Sequence, residues 1–475
     1  MRTGFKKLFF INNIDYADVF CLLTKRKAAQ SNSATVKPET KKDRLAFVNY
    51  VVRGLKNKID FYLLKMESQI LSKKNEPLSN IDFLLLTVEP TETKQLKELY
   101  KEILVNGKSA VFITDRIKLC KQLRKEGIKV HLILRDHSTH AQEANSIITL
   151  ATSMAHDDEG YNTLAIMREY LPLYLSMAAD FENIIKKTKP KHVFLGYDIT
   201  QEGRLMDAIC KNRHIPTYCI QHGLIIKDSV HSEHIADRFF VFGEIAEKNL
   251  VSSGMSKNKV FISGAPYMDS YEAKGEMNIF LRKKIPAKYG NFILICTSGA
   301  GHSTSLKHHL EMIRLFEETI SNFQETFFVI KLHRKDSTSY YNVLNTYKNV
   351  LVISTNDNSL PENIFEYFTG CSALITGISA SATEAMSLGI PVITIDLLNE
   401  FNHVDFISAG ATIHTGNKKE FTEALGIIRD INNTRVRSTI EAADSFSKTY
   451  FSKSNTTACS FILSHLIENQ ETCAA

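Results

Sequence analysis

None of the eight cysteines (Cys21, Cys120, Cys210, Cys219, Cys296, Cys371, Cys459 and Cys473) forms a CxxC pair. No Cys/His cluster has the spacing of zinc ligands either, which argues against structural zinc. Scattered single cysteines read as reduced and largely buried residues of a cytosolic protein. No apolar run reaches the roughly 18–20 residues needed to cross a bilayer. The N-terminus has neither the apolar core nor the small-residue cleavage site of a secretory signal, so a cytoplasmic protein is expected. What is present is an ordinary globular composition: 475 residues, 44% hydrophobic and 23% charged. It excludes a disordered chain, a collagen and a small disulfide scaffold. The length suggests about two to three domains.

Charge is unevenly placed. Residues 1–80 carry 16 Lys+Arg and 7 Asp+Glu, a net of +9, whereas the whole chain is +6 and residues 81–475 sum to −3. The favoured reading is a solvated helical face. The sharper one is attraction to phosphate, on an anionic membrane at the inner face of the plasma membrane or on an anionic substrate. Nucleic acid is not expected, because there is no zinc finger or basic zipper and the remainder is not basic. Within this region residues 30–42 read as a polar loop. Residues 44–71 repeat apolar side chains at helical spacing, from Leu45 and Val48 to Leu63 and Leu64, so a basic helical extension over 1–80 is expected.

From residue 81 short apolar runs alternate with helical stretches. Runs at 82–87, 109–114, 129–134, 192–197, 216–221 and 238–243 read as strands, with helices at 94–105, 116–126, 164–187 and 203–213. A second series has strands at 291–296, 327–332, 349–354, 372–377 and 391–396, and helices at 308–322, 364–369, 384–388 and 420–430. The grammar is α/β: two Rossmann-like, doubly wound domains, 81–266 and 267–475, facing a cleft. Ligands of such domains sit beyond the carboxyl ends of the strands, so the residues following each strand are the site candidates.

After strand 291–296 comes a small turn with Gly299 and Gly301, which lets a phosphate approach backbone N–H groups; such turns are also common without a ligand. After strand 372–377 come Ser379, Ser381, Thr383 and Glu384. Ser381 and Glu384 have capping-box spacing, and the hydroxyls could still meet an anion while Glu384 could bind a ribose. After strand 327–332 come His333, Arg334 and Lys335, a cationic group suited to phosphate. Asp198 follows strand 192–197 as a general base or, equally, a helix N-cap shared with Thr200. His222 follows strand 216–221, and Arg204 and Lys227 are candidates on position alone. No DxD-type triplet stands at a strand end, which fits metal-independent chemistry without a cofactor.

Several of these stretches resemble the GT-B glycosyltransferase superfamily. They are Ile215-Pro216-Thr217 through Gln221-His222-Gly223, Ala236-Asp237-Arg238 through Phe242-Gly243-Glu244, Gly254 to Val260, Ser263-Gly264-Ala265-Pro266, and Ser379 to Ile393. The likeness covers about residues 190–430 and is greatest to bacterial surface-polysaccharide enzymes: capsule transferases, polysialyltransferase-like enzymes and CDP-glycerol glycerophosphotransferases. It implies a donor-phosphate role for His333, although Arg334 stands where those enzymes have proline. It also implies hydroxyl contacts from Ser379, Ser381 and Thr383, and a base at Asp198, with Glu202-Gly203 as an offset alternative. His222 matches a histidine implicated in glycerophosphate transfer. The expectation is therefore a glycosyltransferase. It would move a sugar from a CMP-, CDP- or UDP-linked donor to a polysaccharide or lipid-linked acceptor, with Asp198 or His222 as base. Two alternatives remain: a sugar-nucleotide 2-epimerase of the UDP-N-acetylglucosamine type, which shares the fold, and a non-catalytic binding scaffold.

Overall fold

The computed structural model describes residues 67–133, 141–152, 158–227, 233–269, 278–299, 304–334, 336–354, 363–401, 403–452 and 456–471. It also describes a small antiparallel pair, Phe10–Ile11 with Ile14–Asp15. The loop at 30–42, all but the last few residues of the stretch at 44–71, and most of the basic region lie outside the described residues.

Two parallel sheets carry the fold. The first has strands β1 (Phe83–Leu86), β2 (Ala110–Thr114), β3 (Val130–Leu132), β4 (His192–Leu195), β5 (Thr217–Ile220), β6 (Arg238–Val241) and β7 (Val260–Ile262), in the order β3-β2-β1-β4-β5-β6-β7. The second has β8 (Phe292–Cys296), β9 (Phe327–Lys331), β10 (Val350–Ile353), β11 (Cys371–Thr376), β12 (Val392–Ile395) and β13 (Ile413–Thr415), in the order β10-β9-β8-β11-β12-β13. Both have the doubly wound order, in which connections leave the first strand toward opposite edges and open a crevice at its carboxyl end. The first series predicts six of the first seven strands, the second five of the last six. The unread ones, β7 and β13, are three-residue edge strands.

The central strands are buried on both faces, which is why they read as unbroken apolar runs. Successive side chains divide between the faces. Phe83 and Leu85 enter one cluster while Leu84 and Leu86 enter another. The first of these clusters continues into the second sheet through Phe292, Leu294, Phe327 and Val329. One apolar body thus joins the inward faces of both sheets. The outer faces are covered separately, the first by helices including the 31-residue Asp158–Thr188 and the second by Leu306–Ile320 and Lys418–Ile427.

Two C-terminal helices bind the halves together. Thr434–Tyr450 ends against Gly243, where a Cβ would stand 2.4 Å from the Thr449 carbonyl oxygen, so only glycine admits the helix end this closely. Ala458–Glu471 crosses back to the first sheet. Its His465 packs against the rings of Phe240 and Phe261, and Ser460 Oγ donates to Glu102 at 2.9 Å. Among the described residues no helix is long and apolar enough to cross a membrane.

Candidate active site

The carboxyl ends of both sheets face one cleft of about 340 Å³. Its first wall is the start of helix α1 (Pro90–Val105), with Thr91, Lys94 and Gln95, together with His222, Gly223 and Phe242. Its second wall is Cys296, Thr297, Lys331, His333 and the Ser379–Glu384 segment, with Tyr267 and Tyr450 closing the floor. Of the sequence candidates, His222, His333, Ser379, Ser381, Thr383 and Glu384 line this cleft.

The Gln-His-Gly turn has a physical cause. Gln221 is buried, its Oε1 accepts from Phe242 N–H at 2.8 Å, and its Nε2 donates to Gly223 O at 2.9 Å and to Tyr450 Oη at 3.3 Å. The glutamine therefore braces the loop and leaves His222 at the cleft, its ring 4.4 Å from that of Tyr197 in an edge contact.

On the opposite wall His333 N–H donates to Thr297 Oγ1 at 2.6 Å, and that hydroxyl donates to Asp336. Gly299 packs directly on the imidazole. Its φ is +80° and a Cβ there would stand 2.5 Å from His333 Nδ1. Gly301 and Lys335 lie outside the described residues.

The serine-rich start differs from the expected capping box. Ser379, not Ser381, is the N-cap of the seven-residue helix α2 (Ala380–Met386), its Oγ accepting from Ser381 N–H at 3.2 Å. Ser381 Oγ donates to Ser379 Oγ at 2.8 Å, and Thr383 Oγ1 donates to Ala380 O at 2.9 Å. Glu384 does not reach back to a cap because it is drawn across the cleft to Lys94 Nζ, at 3.0 Å. Lys94 also lies over the Tyr267 ring, 3.5 Å from its centre. Burial pushes the Lys94 ammonium below its ordinary value, with Glu384 working against that shift. Burial raises the Tyr267 and Tyr450 hydroxyls and pushes the Cys296 thiol up to about 12, which makes Cys296 a poor nucleophile near neutrality.

Asp198 is not brought to the cleft. It is fully buried and accepts from His234 Nδ1 at 2.6 Å, from Ile235 N–H at 2.7 Å and from Ala236 N–H at 2.9 Å. Burial favours its neutral form, but His234 and the two N–H groups outweigh that and hold it below the usual carboxylate value. Thr200 is the N-cap of the following helix, its Oγ1 accepting from Gly203 N–H at 3.0 Å. Glu202 is buried beside Arg116, and Arg204 is bound by Glu233. Lys94, Tyr267, Lys331 and Tyr450 were not singled out in the sequence. The helix start at Glu89-Pro90 could have flagged Lys94, since proline suits the first helical turn. Tyr267 lies in the short helix Pro266–Asp269 and Tyr450 ends the helix Thr434–Tyr450, neither of which the sequence pattern marks. Among the described residues no cluster of metal-ligating side chains occurs.

Two Rossmann-like domains with a shared cleft at the strand ends define the GT-B-like class of nucleotide-sugar proteins. Within it, the family described as UDP-N-acetylglucosamine 2-epimerase matches residues 174–449, more than half of the chain and parts of both cleft walls. The chain belongs to that family. Solved structures with the same fold include a Listeria monocytogenes protein assigned to it (14% identity, 83% of this chain and 98% of that one, TM-score 0.56). They also include S. aureus MnaA with UDP (14% identity, 82% and 97%, TM-score 0.55). A third is the Neisseria meningitidis UDP-GlcNAc 2-epimerase bound to UDP-GlcNAc (14% identity, 82% and 100%, TM-score 0.55). No curated protein matches the chain. The family match overturns the glycosyltransferase expectation, and with it the assignment to capsule and surface-polysaccharide synthesis. The residues that suggested a transferase, from Gln221-His222-Gly223 to Ser379–Ile393, lie inside the epimerase match. They report the shared fold and its strand-end turns rather than the reaction.

Proposed function

We propose that the protein binds a UDP-N-acetylhexosamine in this cleft and inverts its C2 centre, interconverting UDP-N-acetylglucosamine and its C2 epimer. The observation that carries this reading is the coincidence of the family match at 174–449 with the cleft, because that span holds His222 on one wall and His333 and Ser379–Glu384 on the other.

Inverting C2 needs a group that removes its proton, the C–H electron pair forming a C1=C2 double bond as the nucleotide diphosphate leaves C1. It also needs a group that returns a proton to the other face as the diphosphate adds back to C1. The reaction is an isomerisation, so no co-reactant is consumed. His222 stands at the N-terminal wall as one such group. Lys94, desolvated and hydrogen-bonded to Glu384, stands at the start of α1 as a second titratable group. His333 and the Ser379 hydroxyl are placed to hold the nucleotide phosphates, a role that fixed donors perform without reorganising during reaction.

The test is conversion from both sides. Purified protein given UDP-N-acetylglucosamine alone, or its C2 epimer alone, should reach the same mixture by ion-pair chromatography. Saturable binding of UDP-N-acetylglucosamine with no epimer formed from either side would refute the reading.

A further inference from the structure

This inference rests on the UDP-sugar reading of the cleft. Strand β9 places Phe327 and Val329 on the face shared by the two domains, with Phe328 and Ile330 on the other. The next residue in the inward row is Lys331, so an apolar row ends in an ammonium at the cleft. Lys331 is partly buried, its Nζ 5.5 Å from the centre of the Tyr367 ring, and it lies close enough to Cys296 to act on the thiol.

Among the described residues, two other cations near the cleft are engaged by carboxylates. Lys94 is held by Glu384, and Arg334, which the sequence suggested as a phosphate ligand, is held by Glu89 across the domain boundary. Among the described residues no carboxylate lies within ion-pair distance of Lys331. A partly desolvated ammonium facing an aromatic ring has given up water without gaining an anion. Two residues on is His333, and across β8, beyond the end of β11, are the Ser379 and Ser381 hydroxyls, which line the same cleft.

We propose that Lys331 is the cation that binds the diphosphate of the nucleotide, and that it makes the cleft selective for nucleoside diphosphates over nucleosides. Arg334 then serves the contact between domains, and the phosphate charge is met by the lysine three residues earlier.

Calorimetry with uridine, UMP and UDP on the full chain tests this. Lys331→Met should lower UDP affinity by about 10- to 100-fold, as expected for a hydrogen bond to a charged group. It should leave uridine affinity within about twofold, which is below the ~1.4 kcal/mol that a tenfold change represents. Lys331→Arg should recover most of the loss. Lys331→Gln gives a second neutral variant if methionine disturbs the strand, and thermal unfolding of each variant reports its fold. A folded Lys331→Met protein that binds UDP as tightly as wild type overturns the assignment while leaving the UDP-sugar reading intact. Wild-type protein that binds none of the three compounds overturns both.

Discussion

Lys94 and Glu384, 290 positions apart in the chain, meet across the cleft with Nζ 3.0 Å from Oε1. The Glu384 side chain is 8% exposed and that of Lys94 34%. The carboxylate therefore depends on the lysine more than the lysine depends on it. The pair links the N-terminal part of helix α1 in one domain to the cleft-lining helix α2 of the other.

Lys94→Met and Glu384→Gln should each lower the thermal midpoint, and the double variant should lose less than the sum. A coupling of about 0.5–3 kcal/mol is the range for residues in direct contact. Strict additivity in a double-mutant cycle would show that the pair contributes nothing to holding the domains together.

Gly299→Ala should damage nucleotide binding through His333 rather than through the fold at large. The added methyl would stand 2.5 Å from His333 Nδ1, in a backbone conformation with φ of +80° that disfavours side chains. UDP affinity should fall at least about tenfold, or ~1.4 kcal/mol. In a His333→Ala background the same substitution should add little, because the ring it displaces is gone. An equal loss in both backgrounds would place the damage elsewhere.

Asp198 should behave as a structural carboxylate with a pH signature. Its folded pKa is lowered, so its contribution to stability is present above the unfolded value of about 3.9 and is lost as pH falls through the folded value. In urea unfolding, wild type should exceed Asp198→Asn at neutral pH, and the gap should close as pH drops below about 4. A gap that is absent at pH 7, or that widens in acid, would contradict this.

His222→Gln should slow turnover by about 10²- to 10⁴-fold, the usual range for a lost proton-transfer group. UDP affinity should stay within a few-fold, since the neighbouring Gln221 bonds that shape the loop remain. A matching loss in UDP affinity, with kcat unchanged, would make His222 a binding residue.

The strand-end rule explains why much of the site was legible. Strands such as β9 and β11 are buried on both faces over most of their length and read as plain apolar runs. The residues after them, His333 and Ser379 among them, must then lie at the cleft edge. The rule misplaced Asp198 because a strand end also feeds the packing behind the cleft, where His234 and two N–H groups claim the carboxylate. It passed over Lys331, which belongs to the strand itself. Thr434–Tyr450 escaped because its Ser, Thr and Asp residues are weak helix formers, and its stability comes from packing on both domains. Epimerase and transferase could not be told apart by residue type, since both need a held nucleotide phosphate and a proton-transfer group.

The most direct measurement of the central claim is proton NMR of UDP-N-acetylglucosamine incubated with the protein in D₂O. The account predicts loss of the C2–H signal through exchange with solvent, together with growth of the C2 epimer carrying deuterium at that carbon. Full retention of the C2–H signal with no epimer, under conditions where the nucleotide sugar saturates the protein, would contradict it.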